Sequence, residues 1–203
     1  MAPPVNQTPH PRSLHPVLKA AIRGDLPDWA VAGDKRRAHM ARVCRLLERW
    51  GRQMGLAKDQ VARWQAAGHL HDALRDAPPK RLAGVLPRRF RRLPPGAYHG
   101  PAAAHLLRRE GVRDREILHA IRWHTLGSRK FAMLGKALCA ADALEPGRPR
   151  RRQWRKELRS RFPSEADEVL TEILRHRIDY LLRARQAVPP RTLGFWNSLV
   201  SGS

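Results

Sequence analysis

In the stretch AAGHLHDALRD, residues 66–76, two histidines stand one residue apart and an aspartate follows the second. His39, His124 and Asp142 lie in other apolar stretches. Imidazoles and carboxylates serve as acid–base groups, hydrogen-bonded core residues or metal ligands, so the direction of each side chain decides what chemistry is open to it. In RRAHMARVCRLLERWGRQMG, His39, Val43, Leu46, Leu47, Trp50 and Met54 recur at helical spacing as one stripe. In KDQVARWQAAGHLHDALRD, Val61, Trp64, Ala67, His71 and Leu74 share a face. His69 is about 200° from His71 around such a helix and points to the opposite side, whereas Asp72 is about 100° away, at the edge of the stripe. Ile117, Ile121 and His124 share a face of DREILHAIRWHT, and Leu134, Leu138 and Asp142 follow at i+4 steps in FAMLGKALCAADAL.

One histidine on an apolar face reads as a hydrogen-bonded core residue. Four helices that each bring a polar group to an apolar stripe (His39, His71 with Asp72, His124, Asp142) reverse that reading. A buried charge is costly unless it is paired or coordinates a metal, and a dication on which these groups converge would remove the cost. Imidazole with carboxylate suits iron, manganese or zinc rather than calcium. Cys44 and Cys139 lack CxxC spacing and read as small reduced core residues, so no thiolate cluster points to a structural zinc.

The elements that must position these groups are all helical. LHPVLKAAIRGDLPDWA is expected to form one short helix, PAAAHLLRRE another with Pro at its start, and SEAD opens a strongly amphipathic helix with Ser164 and Asp167 as a capping box. Residues 77–98, with five prolines and the run PRRFRR, read as a long connection or lid, and EPGRPRRR as a basic loop. No alternating strand pattern competes and no repeat is visible, so the fold class is all-α. Residues 1–13 are Pro-rich and polar and are expected to be disordered. Phe195 and Trp196 in the tail RTLGFWNSLV are expected to dock on their own domain or on a second subunit, which makes a homodimer a candidate assembly.

The 203 residues hold 40 basic against 18 acidic side chains, a formal charge of +22, and 33 of the 40 are Arg, so polyanions are the partners to expect. Solvated helix faces also accumulate Arg, and no single arginine argues for a ligand. The N-terminus lacks an apolar leader, and nowhere do about 18 apolar residues run together, so neither secretion nor a membrane span is supported and a cytoplasmic protein is expected.

The ordered blocks His39, HD at 71–72, YHG at 98–100, WHTLG at 123–127 and AADALEPGR at 140–148 resemble the HD-domain metal-dependent phosphohydrolases. Within them, the blocks resemble the YqeK-type symmetrical bis(5′-nucleosyl)-tetraphosphatases. The resemblance covers residues 36–185. It implies an HD-domain helical bundle over 31–187, with its metal site between helices, an N-terminal extension over 1–30 and an aromatic tail over 188–203. It makes His39, His71, Asp72 and Asp142 the core metal ligands, and adds His99 and His124 for a second ion, with Asp72 bridging the two. Two divalent transition-metal ions follow, iron first, then manganese or another divalent metal. Arg36, Lys136 and Arg148 match basic positions that could contact phosphate. Gly100, Thr125 and Gly127 belong to the same motifs, as substrate-site residues or as turn and cap residues. Where many members have lysine three residues after the HD aspartate, this chain has Arg75, which keeps the charge and grips phosphate oxygens but cannot lose a proton. His69, His105, His119 and His176 fall outside the blocks and read as structural or exposed.

The activity so implied is hydrolysis of a nucleotide substrate, diadenosine tetraphosphate, at its centre to two ADP by a metal-activated hydroxide, with Asp72 and Arg75 as catalytic residues. ADP leaves readily as an anion, so no dedicated general acid is demanded. Another HD phosphohydrolase acting on mononucleotides, (p)ppGpp-like alarmones or cyclic nucleotides would share every ligand. Nucleic acid is a weaker candidate partner: the basic runs PRRFRR and RPRRRQWR offer one aromatic each, and a nucleic-acid binder leaves the inward His and Asp unexplained.

Overall fold

The apolar stripe that begins at His39 runs along the 20-residue helix α2 (Asp34–Gln53), burying Met40, Val43, Leu46, Leu47 and Trp50 against the rest of the chain. The computed structural model describes residues 14–201, which leaves the expected disorder of 1–13 outside the described residues. Among them are ten α-helices, two short 3-10 turns and no strand. The others are α1 (Pro16–Ile22), α3 (Lys58–Leu70), α4 (Pro79–Val85), α5 (His99–Arg109), α6 (Arg115–Trp123), α7 (Met133–Leu144), α8 (Arg152–Arg161), α9 (Ala166–Arg183) and α10 (Pro190–Val200). None is long and apolar enough to cross a membrane.

Helices α2 and α3 meet backbone to backbone. A Cβ on Gly68 of α3 would come within 2.8 Å of the Cys44 Cα on α2, so only glycine allows this approach, which brings His39 and His71 into one neighbourhood. α7 is central because it is narrow: Ala137, Ala140 and Ala141 are fully buried, and α2, α3, α6, α8 and α9 all pack on it. Trp50 ties α2 to α8 by stacking on Phe162, centroids 4.1 Å apart, and its indole N–H donates to the Arg159 carbonyl. At the start of α6, Asp114 accepts the Ile117 amide as an N-cap and also takes both arms of Arg63 from α3, at 2.7 and 2.9 Å.

Four local expectations are corrected. The helix expected through residue 76 ends at Leu70, and His71–Asp76 form successive turns, because the His71 ring takes the Gly68 carbonyl that a continuing helix would offer to the Asp72 amide. The Ser164–Asp167 capping box does not form: α9 has no side-chain N-cap, Ser164 donates to the Arg161 carbonyl, and Asp167 is held by Lys136. The connection over 77–98 contains α4 and the two 3-10 turns, Arg88–Phe90 and Pro95–Ala97. α8 was not anticipated; it fixes itself to the body through one fully buried side chain, Leu158, and through Trp154. The aromatic tail forms α10 and docks on its own chain, with Phe195 buried against Phe131. Cys44 and Cys139 are free and buried, and burial pushes both thiols up to about 12.

Candidate metal centre

Five segments deliver the polar cluster. His39 comes from the second turn of α2; His71 and Asp72 from the turn closing α3; His99 from the first residue of α5 and His124 from the cap of α6; Asp142 from the last turns of α7. Three groups of mutually close donor atoms result: His39, His71 and Asp72; Asp72, His99 and His124; His71, His124 and Asp142.

Asp72 is at the middle. Its Oδ1 lies 3.1 Å from His99 Nε2 and 3.4 Å from His124 Nε2, whereas Oδ2 faces the Nε2 atoms of His39 and His71, each at 3.8 Å. Oδ2 also accepts from Arg36 Nη1 at 2.7 Å, and Arg36 in turn reaches Asp76 at 3.3 Å. On the far side, His39 Nε2 is 3.2 Å from Asp142 Oδ1, which accepts from Arg148 at 2.6 Å.

The imidazoles are oriented from behind. His71 Nδ1 donates to the Gly68 carbonyl and His124 Nδ1 to the Ile121 carbonyl, both at 2.8 Å. A carbonyl only accepts, so the proton of the neutral ring is on Nδ1 and the Nε2 lone pair points into the cluster. His39 Nδ1 meets Glu145 Oε1 at 3.3 Å, and Glu145 is itself fixed by Arg42 at 2.5 Å and by the Gly147 amide at 2.6 Å. That layer holds Glu145, Arg42 and Asp76, none of which was singled out from the sequence. Glu145 stands within the quoted AADALEPGR block, but it lies past the end of α7, where no stripe reveals its burial.

Whether these residues suit a cation is answered by two atoms. His39 Nε2 and His71 Nε2 are buried without a hydrogen-bond partner, the former unaligned with Asp142 despite its nearness. Orphaned basic nitrogens beside ionised carboxylates are what a metal would satisfy. Burial pushes the His71 imidazole down to about 4, so it is neutral and ready to donate its lone pair. Burial alone would raise Asp72, but the surrounding imidazoles, His71 first, hold it well below the usual carboxylate range, and His39 does the same for Asp142. Burial also works against charge on His39, yet the Asp142 and Glu145 carboxylates outweigh it and raise this imidazole to about 9. For His99, burial outweighs the pull of Asp72 and lowers the pKa.

The other candidate residues divide. Thr125 Oγ1 is 3.1 Å from His99 Nε2 and 3.0 Å from His124 Nε2, inside the cluster. Gly100 abuts the end of α6, where a Cβ would meet the Ile121 carbonyl at 2.7 Å. Arg75 is exposed, and its charge is felt at His99. Gly127, with φ +82°, turns the chain beneath Phe195. Lys136 is not brought to the cluster: its ammonium is paired with Asp167 at 2.5 Å. His69 points away, donating to the Ala21 carbonyl at 2.6 Å, and His119 bonds Ser128 at 3.0 Å.

With this geometry in hand, the comparisons with known proteins are consistent. Over 110 residues the chain is 36% identical to the symmetrical bis(5′-nucleosyl)-tetraphosphatase of Bacillus subtilis, covering 54% of this chain and 58% of that protein. A protein of the same name from Halalkalibacterium halodurans is 31% identical over 103 residues, 50% of this chain and 54% of that one. The matches thus span just over half the length of these relatives. In fold, the chain resembles an HD superfamily hydrolase of Clostridium acetobutylicum described as involved in NAD metabolism, with TM-score 0.75, 23% identity and coverage of 84% of this chain and 92% of that one. Residues 36–147, which carry all six clustered His and Asp side chains, match the HD domain family, and the chain belongs to it.

Proposed function

We propose that this chain is a metal-dependent phosphohydrolase of nucleoside polyphosphates that cleaves diadenosine tetraphosphate symmetrically, giving two ADP. The observation that carries the reading is the division of Asp72: one carboxylate oxygen faces His99 and His124 and the other faces His39 and His71. A donor set in two halves that share one carboxylate suits a pair of divalent ions, iron first and manganese next. His39, His71 and Asp142 would hold one, His99 and His124 the other, with Asp72 between. When bound, such a pair supplies a water of lowered pKa and neutralises phosphate oxygens.

The chain's own groups prepare the rest. Arg36 donates to Asp72 and Arg148 to Asp142, beside the imidazoles that hold both carboxylates ionised, so both are available as anions at neutral pH. Arg75, exposed beside His99, can offer a planar fork to a phosphate oxygen, and it stabilises charge without moving a proton. Thr125 directs a hydroxyl between His99 and His124, where it can donate to an oxygen of the polyphosphate. The names of the two bacterial relatives point to the substrate.

Protein purified without chelator should carry about two transition-metal ions per chain by elemental analysis, and should convert diadenosine tetraphosphate to ADP alone. ATP with AMP as products would show asymmetric cleavage and reject the reading. Absence of turnover, alongside turnover of a mononucleotide, an alarmone or a cyclic nucleotide, would reassign the same centre to that substrate. Tight, salt-sensitive binding of duplex nucleic acid that survives in Asp72→Ala would assign the +22 charge a role apart from the centre.

A further inference from the structure

Beside the centre, a cleft of about 510 Å³ opens between α7, α8 and α9. Its inner end is formed by His124 and Asp142, and its walls by Trp154 and Arg155 of α8 and by Arg177 and Tyr180 of α9. Those walls lie beyond residues 36–147, the part of the chain that matches the family. Trp154 is half-buried and Tyr180 is 60% exposed at the rim of this polar cleft. Arg155 is anchored by two nitrogens, to the carbonyls of Arg150 and Ala143, and Arg177 by one arm, to that of Thr125, and neither has a carboxylate within ion-pair distance among the described residues. Burial lowers the Arg155 pKa, with Arg148 as the next cause, against the raising effect of the Glu145 and Asp142 carboxylates.

Aromatic faces at the mouth, unpaired guanidiniums midway and the His/Asp cluster at the end form an order that matches base, phosphate and scissile phosphate. The volume suits one nucleotide. The other opening onto the cluster, about 670 Å³ and lined by Lys35, Arg36, His39, Arg42 and Asp76, has no Trp, Tyr or Phe, and the cleft of about 710 Å³ around Pro94 and Arg191 touches none of the candidate ligands.

We propose that the α7–α8–α9 cleft is a nucleoside subsite, in which Trp154 and Tyr180 form the platform for one base while Arg155 and Arg177 receive the phosphate that links it to the centre. The inference rests on the nucleoside-polyphosphate reading above and deepens it. Stacking of a base on an aromatic side chain is lost on truncation at a cost of about fivefold or more in affinity.

The test is calorimetric titration of the metal-loaded protein with ADP and, separately, with pyrophosphate, which has the phosphates but no base. Tyr180→Ala, at an exposed position, and Trp154→Ala should each weaken ADP about fivefold or more and leave pyrophosphate unchanged, while Trp154→Phe keeps near-native ADP affinity. With diadenosine tetraphosphate, KM should rise and kcat hold. Unchanged ADP affinity in both alanine variants, or equal weakening of ADP and pyrophosphate, overturns the subsite. If the native protein splits diadenosine tetraphosphate while both variants bind ADP as before, only the subsite fails. If it does not split that substrate, yet Tyr180→Ala weakens ADP and spares pyrophosphate, the subsite stands and the substrate reading fails.

Discussion

Glu145 Oε1 lies 3.3 Å from Nδ1 of His39, on the opposite side of the ring from the nitrogen that faces Asp142 and Asp72. The carboxylate is tied down by Arg42 and by the Gly147 amide, and is held down near a pKa of about 2 although burial opposes its charge, so it is a fixed anion that sets the ring's orientation and basicity. Glu145→Gln removes the charge and keeps the shape. Losing such an outer partner typically weakens metal binding about 10- to 100-fold. The variant should therefore lose metal to a chelator at correspondingly lower concentration while its helical circular dichroism is unchanged; equal retention of metal would reduce Glu145 to a structural clamp on Arg42.

The same anions make metal-free stability depend on pH in a definite direction. His39 is raised from 6.5 to about 9 by Asp142 and Glu145, against the effect of burial, so the folded state binds a proton that the unfolded state releases earlier. Its contribution is fully present below about pH 6.5 and is lost as pH rises through about 9, on the order of 1–3 kcal/mol. Chelated protein should melt at progressively lower temperature between those limits, and His39→Gln should flatten that slope. Metal loading should remove it as well, because a bound cation replaces the proton.

Much of this centre is legible in the sequence, and the parts that are not have physical reasons. His39, His124 and Asp142 lie on helical stripes, and period alone points them inward. The same arithmetic points His71 inward and puts Asp72 at the edge of its stripe, yet both sit past the end of α3, where the His71 side chain itself terminates the helix. His99 is the first residue of α5, after a long irregular connection, so periodicity cannot reach it and only the family resemblance named it. α8 escaped notice because its sequence, RQWRKELRSR, is mostly polar, with six of its ten residues charged, and its apolar stripe is only Trp154 and Leu158, one turn apart. The missing capping box reflects a competition: Lys136 on α7 pairs with Asp167 across helices, which a local motif cannot anticipate.

Gly100 holds α5 against the end of α6 where His124 is presented. A Cβ there would lie 2.7 Å from the Ile121 carbonyl, 3.0 Å from that of Arg122 and 3.3 Å from the His124 ring. Backbone cannot yield as a side chain tip can, so Gly100→Ala should push the two helices apart, costing about 1–3 kcal/mol of stability. Since His99 precedes it and His124 faces it, the same substitution should lower metal content toward one ion per chain. Thermal denaturation and elemental analysis of one preparation check both. Full loading in a destabilised variant would confine the glycine to packing.

Arg75 is exposed, three residues after Asp72, and its charge reaches His99. If it receives a phosphate oxygen as charge develops there, its replacement affects the rate more than the metal. Arg75→Ala should retain both ions yet lower kcat about 10- to 100-fold, while Arg75→Lys, which keeps a positive charge but not the bidentate fork, should recover a large part of the loss. A guanidinium does not titrate in the working range, so the pH–rate profile of Arg75→Ala should keep its native shape at lower amplitude. A profile that lost its alkaline limb would mean that Arg75 acts on the ionisation of its neighbours, His99 first, rather than on substrate, and would remove it from the list of groups that touch phosphate.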